Sequence, residues 1–256
     1  ADSEFARQEQ RPFVTAAEHA ARIITDSHHA AVELTRHLAI DPARIDVVHL
    51  AVDEAFLRRR GLAPAKLEGA TRYLLFVGEA DERKGLDTTI RAIERLPEES
   101  RKGLALAVAG QREGKKFSAV DIRWLGHVDD EQLAALYAGT AMLVYPSRYE
   151  GFGLPVLEAM ACGTPVIASR AAGIPEAGGD AALYVDPDDA AALAGAIGRV
   201  LADPDLAGRL RRAGETRAAA MTWDRTAAST LATLKRAVAQ GPTRIAQPPG
   251  RKDGRS

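Results

Sequence analysis

Two glutamates, Glu150 and Glu158, stand with seven residues between them in the run RYEGFGLPVLE. An ionised carboxylate only accepts hydrogen bonds, so a pair of them suits the adjacent hydroxyls of a ribose or a hexose. Between them Pro155 fits the first position of a helix, where its missing N–H has no helical partner. The amides of Phe152, Gly153 and Leu154 are then left open at the positive end of the helix dipole, which accepts a phosphate. Gly151 and Gly153 permit positive φ and a close approach of ligand to backbone. Phosphate donors flanked by diol acceptors describe a nucleotide-sugar site. The competing reading makes Glu158 a complement to the helix dipole and Glu150 a solvated loop charge, and the spacing alone leaves both open.

The elements that must position this loop are legible on either side of it. Met142 to Tyr145 is a short apolar run, ended by Pro146 and Ser147. After Pro155 the residues Val156, Leu157, Met160 and Ala161 recur at helical spacing, and Gly163-Thr164-Pro165 stops them before the apolar run Val166 to Ala168. Strand, loop, helix, strand is a βαβ unit whose loop lies at the carboxyl edge of the sheet, where open α/β sheets hold ligands.

The rest of the chain extends that unit. Further apolar runs are expected as strands at Tyr73–Val77, Leu104–Ala109, Ile122–Leu125 and Leu183–Val185. Helices are expected from Asp87 to Leu96, from Asp129-Asp130 through Tyr137, over 189–203, over 206–221 and from Trp223 to about Ala239. Near-continuous apolar strands separated by amphipathic helices imply a doubly wound parallel sheet covered on both faces, six-stranded and Rossmann-like, in the order 3-2-1-4-5-6. Ahead of it, residues 5–20 read as a weak polar helix. Arg22–Thr25 reads as a strand, Asp26-Ser27 caps a helix through Leu38, and Ile45–Leu50 reads as another strand. In the first β–α turn of the sheet, Gly78 and Glu79 end a strand and Arg83-Lys84-Gly85 precede a helix. Asp186-Pro187-Asp188 imitates an Asp-x-Asp metal motif, but it precedes an alanine-rich helix and is expected to cap it.

The segment EGFGLPVLEAMACGTPVIAS resembles the signature of the retaining, family-four glycosyltransferases, which have the GT-B architecture of two Rossmann-like domains. The likeness runs from about Ile23 to Trp223. It implies that Glu158 binds the ribose hydroxyls, that Glu150 binds the transferred sugar, and that the amides around Phe152-Gly153-Leu154 meet the diphosphate and sugar. It also implies that Lys84, beside Gly78, neutralises the diphosphate and that the backbone at His127-Val128 recognises the base. Ala172 to Glu176 resembles a glycine-rich loop near the donor. Where the family commonly carries an arginine after the glycine, this chain has Glu79. A carboxylate about 4 Å from a phosphate charge costs on the order of 4 kcal/mol at an effective dielectric of 20, so Glu79 must turn away, meet a hydroxyl or weaken the site. Arg83 is the nearest replacement for the missing charge.

By the same resemblance, residues 1–53 are a remnant of the N-terminal acceptor domain with a closing βαβ unit, and 54–70 are a linker containing the basic run Arg58-Arg59-Arg60. Residues 71–222 are the nucleotide-sugar-binding domain, and 223–240 are a helix crossing back to a first domain, expected to fray for want of a surface or to find another partner. Residues 241–256 are expected to be a disordered tail. The implied function is metal-independent, retaining transfer from a UDP- or GDP-linked sugar to a carbohydrate or lipid acceptor held by a facing domain, with no cofactor and little transfer by this chain alone. A donor-binding subunit that works with an acceptor-domain protein, and a degenerate domain, are the alternatives.

Composition bounds these readings. The 256 residues are 46% hydrophobic and 27% charged with a net charge of −1, which gives no electrostatic reason to expect nucleic acid or a membrane surface. The single cysteine, Cys162, allows no internal disulfide and fits a reducing compartment. No apolar run approaches the roughly 18 residues of a membrane span, and the N-terminal residues are too polar for a secretion signal. A cytoplasmic protein with at most peripheral contact at the inner membrane face is expected. His28, His29 and His49 have no convergent cysteine or carboxylate spacing and read as structural.

Overall fold

The structure, a computed structural model, describes residues 14–57, 63–79, 81–111 and 120–240. In chain order the elements are α1 (14–19), β1 (Ile23–Thr25), α2 (His28–Leu38), β2 (Ile45–Val47) and α3 (Glu54–Leu57). Next come β3 (Arg72–Val77), α4 (Leu86–Glu94), α5 (Glu98–Arg101), β4 (Leu104–Ala109), β5 (Asp121–Gly126) and α6 (Asp130–Gly139). They are followed by β6 (Met142–Tyr145), α7 (Leu154–Ala161), β7 (Val166–Ser169), α8 (Ile174–Gly178) and β8 (Leu183–Val185). The chain ends in α9 (Ala190–Ala202), α10 (Pro204–Ala220) and α11 (Trp223–Gln240).

Strands β3 to β8 form one parallel sheet in the order β5-β4-β3-β6-β7-β8. Counted from β3 this is 3-2-1-4-5-6, the doubly wound order expected. Alternate side chains of a strand point to opposite faces, and each face has its own apolar cluster. Tyr73, Leu75, Leu143 and Tyr145 join α6 and α7 on one side; Leu74, Phe76, Met142 and Val144 join α4 and α9 on the other. Because both faces are covered, these strands need no polar residue, and each buried leucine or phenylalanine contributes about 1.5–3 kcal/mol. The reversal of strand order between β3 and β6 opens the crevice at the carboxyl edge.

The first segment forms its own two-stranded parallel sheet, β1 with β2, bridged by α2. Ser27 caps α2, its hydroxyl accepting from the Ala30 amide at 3.0 Å. The expected strand over 45–50 stops at Val47, since β1 offers only Ile23, Ile24 and Thr25 as partners. Residues 54–57, expected within a linker, are a helical turn whose Phe56 is buried against Tyr137, with ring centroids 6.0 Å apart. A phenylalanine carries too much apolar surface to stay in a solvated connection. Arg58-Arg59-Arg60, the first part of the expected helix over 5–20 and the tail 241–256 lie outside the described residues.

Two boundaries at the C-terminal end moved for local reasons. Helix α10 begins at Pro204, because Asp203 caps the Leu206 amide at 2.9 Å and proline suits the first helical position. Helix α11, expected to fray or to find another partner, is continuous because it lies on the first segment. There the Thr226 hydroxyl donates to the His49 carbonyl at 2.8 Å, Arg236 reaches Asp46 at 2.7 Å, and Thr233 is buried.

Candidate functional site

The site is built from two loops at the carboxyl edge, after β3 and after β6. Gly78 follows β3 with φ +134°, and a Cβ there would stand 3.2 Å from the Lys84 stem. The missing side chain is therefore what lets Lys84 lie across the strand end. Asp81 accepts from the Lys84 amide at 2.8 Å and closes a tight turn over Glu82–Lys84. Gly85 has φ +75°, and a Cβ there would approach the Pro146 carbonyl oxygen to 2.4 Å. The Arg148 amide donates to the Arg83 carbonyl at 2.7 Å, so the two loops are joined by backbone as well as by side chains.

Glu150 is the hub of that junction. Its Oε1 lies 2.7 Å from Lys84 Nζ, 2.6 Å from the Ser147 hydroxyl and 3.4 Å from Arg83 Nη1. Lys84 Nζ also sits 5.7 Å from the centre of the Tyr145 ring. The turn over Glu82–Lys84 thus brings Arg83 to the site although its sequence offset is wrong for a simple replacement. Glu158, one turn into α7, is half-buried and accepts from the Tyr137 hydroxyl at 3.2 Å. Burial raises its carboxyl to about 7; the Tyr137 bond opposes this, and the charges of Asp130 and Asp53 add to it. Burial also pushes the Tyr145 phenol upward, and the charges of both Glu150 and Glu158 add to that effect. The charges of the two carboxylates therefore both act on the Tyr145 phenol.

Between them the loop turns sharply into α7. Gly153 has φ +107°, and the helix starts at Leu154, which puts Pro155 at its second position rather than its first. The amides of Phe152, Gly153 and Leu154 make no hydrogen bond among the described residues. Both glycines permit positive φ, but of the pair only Gly153 adopts it. Gly151 is a glycine for space: a Cβ would stand 2.9 Å from Asp26 Oδ2. On its other side, a Cβ on Gly173 would lie 1.9 Å from the Gly151 carbonyl oxygen, and the Gly173 amide donates to the Glu150 carbonyl at 3.1 Å. The Phe152 ring is turned inward, 2% exposed, and stacks on His49 at 5.5 Å.

The remaining expected residues divide. Glu79 is exposed beyond the end of β3. His127 is exposed and Val128 packs against the core, just before Asp129, whose side chain caps α6 through the Gln132 amide at 2.8 Å. Asp186-Pro187-Asp188 does not cap α9; Asp189 does, accepting from Ala191 and Ala192. Asp188 instead pairs with Arg148 at 2.7 Å, and the Asp188 amide donates to Asp186 at 2.9 Å. Sequence reasoning did not find Tyr137, Tyr145 or Ser147, which read only as core or turn residues. It also did not bring His28 and His49 to Glu176, since the partners are 148 and 127 positions apart.

Among the described residues no helix is long and apolar enough to cross a membrane. Residues 63–217 match the family model described as glycosyl transferases group 1. The chain is similar to the O-antigen chain mannosyltransferase B of Escherichia coli, 36% identical over 64% of this chain and 45% of that protein. It is likewise similar to the MMP alpha-(1->4)-mannosyltransferase of Mycolicibacterium hassiacum, 34% identical over 85% of this chain and 54% of that protein. Among solved structures, sucrose-phosphate synthase from Thermosynechococcus elongatus superposes with a TM-score of 0.72 at 29% identity, covering 93% of this chain and 64% of that one. Anabaena HepE, in complex with UDP-glucose, superposes with a TM-score of 0.71 at 16% identity over 93% of this chain and 70% of that one, a likeness of fold. The chain spans about half the length of the curated relatives it matches. With its sheet order that of one half of a GT-B fold, this chain belongs to the group 1 glycosyltransferase family.

Proposed function

We propose that this chain is the donor-binding half of a retaining glycosyltransferase, taking a nucleotide-diphosphate sugar in the groove between Glu150 and Glu158. The observation that carries this reading is the placement at one sheet edge of the Glu150–Lys84 contact, the unbonded amides of Phe152, Gly153 and Leu154, and the half-buried Glu158. In this reading Glu158 accepts from the ribose hydroxyls. The three amides meet the diphosphate at the helix N-terminus. Lys84 and Arg83 swing from Glu150 toward the phosphates, and Glu150 is released to a hydroxyl of the transferred sugar. Charge that develops on the leaving diphosphate is then met by donors already in place, an electrostatic preorganisation that needs no metal. Gly78 makes room for Lys84, and the backbone at His127 and Val128 borders the base.

Exposed Glu79 points to the reading in which it leaves the phosphates to Lys84 and Arg83. Residues 1–53 and the crossing helix 223–240 belong with an acceptor-binding domain, 54–70 connect it, and 71–222 hold the donor. The acceptor, a carbohydrate or a lipid-linked one, approaches from that facing side. The neighbour that holds UDP-glucose supports a uridine donor first, with guanosine as the alternative.

Calorimetric titration with UDP, GDP and their sugar conjugates tests the reading. One nucleotide should bind at 1:1 and, at a hundredfold excess over its dissociation constant, add roughly 2.7 kcal/mol of stability. Absence of binding by any nucleoside diphosphate at millimolar concentration refutes it.

A further inference from the structure

Away from the glutamate pair, three side chains from distant parts of the chain meet at one oxygen. Glu176 Oε2 lies 2.9 Å from His28 Nδ1 and 3.0 Å from His49 Nε2, and it also accepts from the His28 amide at 2.8 Å. Glu176 Oε1 accepts from the His29 amide at 2.9 Å. A carboxylate oxygen has two lone-pair directions, so three nitrogens on Oε2 exceed what it can accept well. The ring nitrogens and the carboxylate oxygen all lie within 4.8 Å of one another.

We propose that His28, His49 and Glu176 form a binding site for a divalent transition-metal ion of the zinc class, which clamps the first segment to the donor-binding domain. Zinc bonds of about 2.0–2.1 Å in a tetrahedron place ligand atoms about 3.4 Å apart, so the two O···N edges lengthen by only about 0.4 Å. With an ion in place, Oε2 serves the metal and the His28 amide, and the crowding is relieved. Neutral imidazoles present the required lone pairs by carrying the proton on the opposite nitrogen.

The ligands are also held as a metal site requires. The amides at the start of α2 fix the carboxylate, and Arg217 Nε, bonded to the Ala177 carbonyl at 3.0 Å, fixes the end of α8. The His49 ring is stacked on Phe152, and its carbonyl is held by Thr226. Such outer contacts orient ligands and tune affinity. His28 is largely exposed, its side chain at 73%, so water can complete the coordination. Two imidazoles and one carboxylate favour zinc or cobalt over magnesium or calcium, which take oxygen ligands. The positive start of α2 and the Arg217 cation both oppose a dication, so binding is weaker than at a closed four-ligand zinc site. The ion ties α2, the exit of β2 and α8 together, and its ligand His49 touches the donor loop at the stacked Phe152. It is therefore a clamp at the junction of the two segments and takes no part in transfer.

The test is titration of the full chain with Co²⁺, read by its visible absorption, followed by displacement with Zn²⁺. The expected result is one equivalent with tetrahedral or five-coordinate bands, weakened at least about tenfold by each of His28→Ala, His49→Ala and Glu176→Gln. His28→Ala decides the matter if the other two unfold, because that ring is exposed. His37→Ala serves as a control, since the exposed His37 and Glu33 at 3.2 Å could hold an ion adventitiously. Absence of a bound equivalent, binding that survives His28→Ala, or binding that disappears with His37→Ala overturns the site.

Discussion

Replacing Glu158 by glutamine separates the cost of this carboxylate from its use. In the structure burial raises its carboxyl from the ordinary 4.5 to about 7. A carboxyl raised in the folded state binds its proton there more tightly than in the unfolded chain. Stability is therefore full below about 4.5, declines as pH rises through the interval, and is at its lowest above 7. A displacement of this size corresponds to about 2.5 kcal/mol between pH 5 and pH 8, at 1.36 kcal/mol per decade. Glutamine is nearly isosteric with the protonated acid and keeps an acceptor for the Tyr137 hydroxyl. At pH 5 the Glu158→Gln protein should match the parent within about 1 kcal/mol, and at pH 8 it should exceed it by about 3 kcal/mol. Urea unfolding at both pH values measures this. The same variant should bind the nucleotide at least about tenfold more weakly at pH 8, because an ionised acceptor for the ribose hydroxyls is gone. A stability difference that does not change with pH refutes the account of the buried charge. Undiminished binding in the variant refutes the ribose assignment.

Two further substitutions probe the groove from its other sides. Lys84→Met keeps the stem over Gly78 but leaves Glu150 without its 2.7 Å partner, and it should cut diphosphate affinity about tenfold or more in calorimetry while barely changing affinity for the nucleoside. Gly173→Ala drives a Cβ to 1.9 Å from the Gly151 carbonyl, so chemical unfolding should show a loss of at least 1–3 kcal/mol as the donor loop is pushed out of place.

The sheet could be read in the sequence because its strands are mostly apolar runs, the central ones covered on both faces while edge strand β5 exposes Asp121 and Arg123, and no tertiary contact is needed to see such runs. Met142–Tyr145 and Leu183–Val185 were placed to the residue for that reason. Boundaries governed by partners were less accessible. Nothing local to Val48–Leu50 shows that β1 is only three residues long, and nothing in Phe56 shows that Tyr137 waits to cover it. The glutamate pair and Lys84 were visible because a loop, a helix start and a charge keep their spacing in the chain. What Glu150 touches was only half visible, since Lys84 and Ser147 come from different loops. Gly151 shows the same limit: its residue type signalled a constraint, but the constraint is the Asp26 carboxylate, 125 positions earlier, and not a backbone angle.

That last contact changes how the first segment should be regarded. If residues 14–53 were a loosely attached remnant, their contacts would fall at the periphery of the donor domain. They fall instead on the donor loop itself. Asp26 stands against Gly151, His49 stacks on Phe152, and Glu176 binds the amides that open α2. From behind, α11 returns to hold the same segment, and Asp46 receives both Arg22 and Arg236. The Arg22 bond, set against partial burial and joined by the nearby arginine charges, holds the Asp46 carboxyl below its ordinary value. The pairing therefore opposes detachment at neutral pH and weakens only in acid. In the proposed donor site, a loop that presents three amides to a diphosphate has to be held in place. Here its rigidity comes from two directions: Gly173 and the sheet on one side, and a short parallel pair of strands from the other end of the chain.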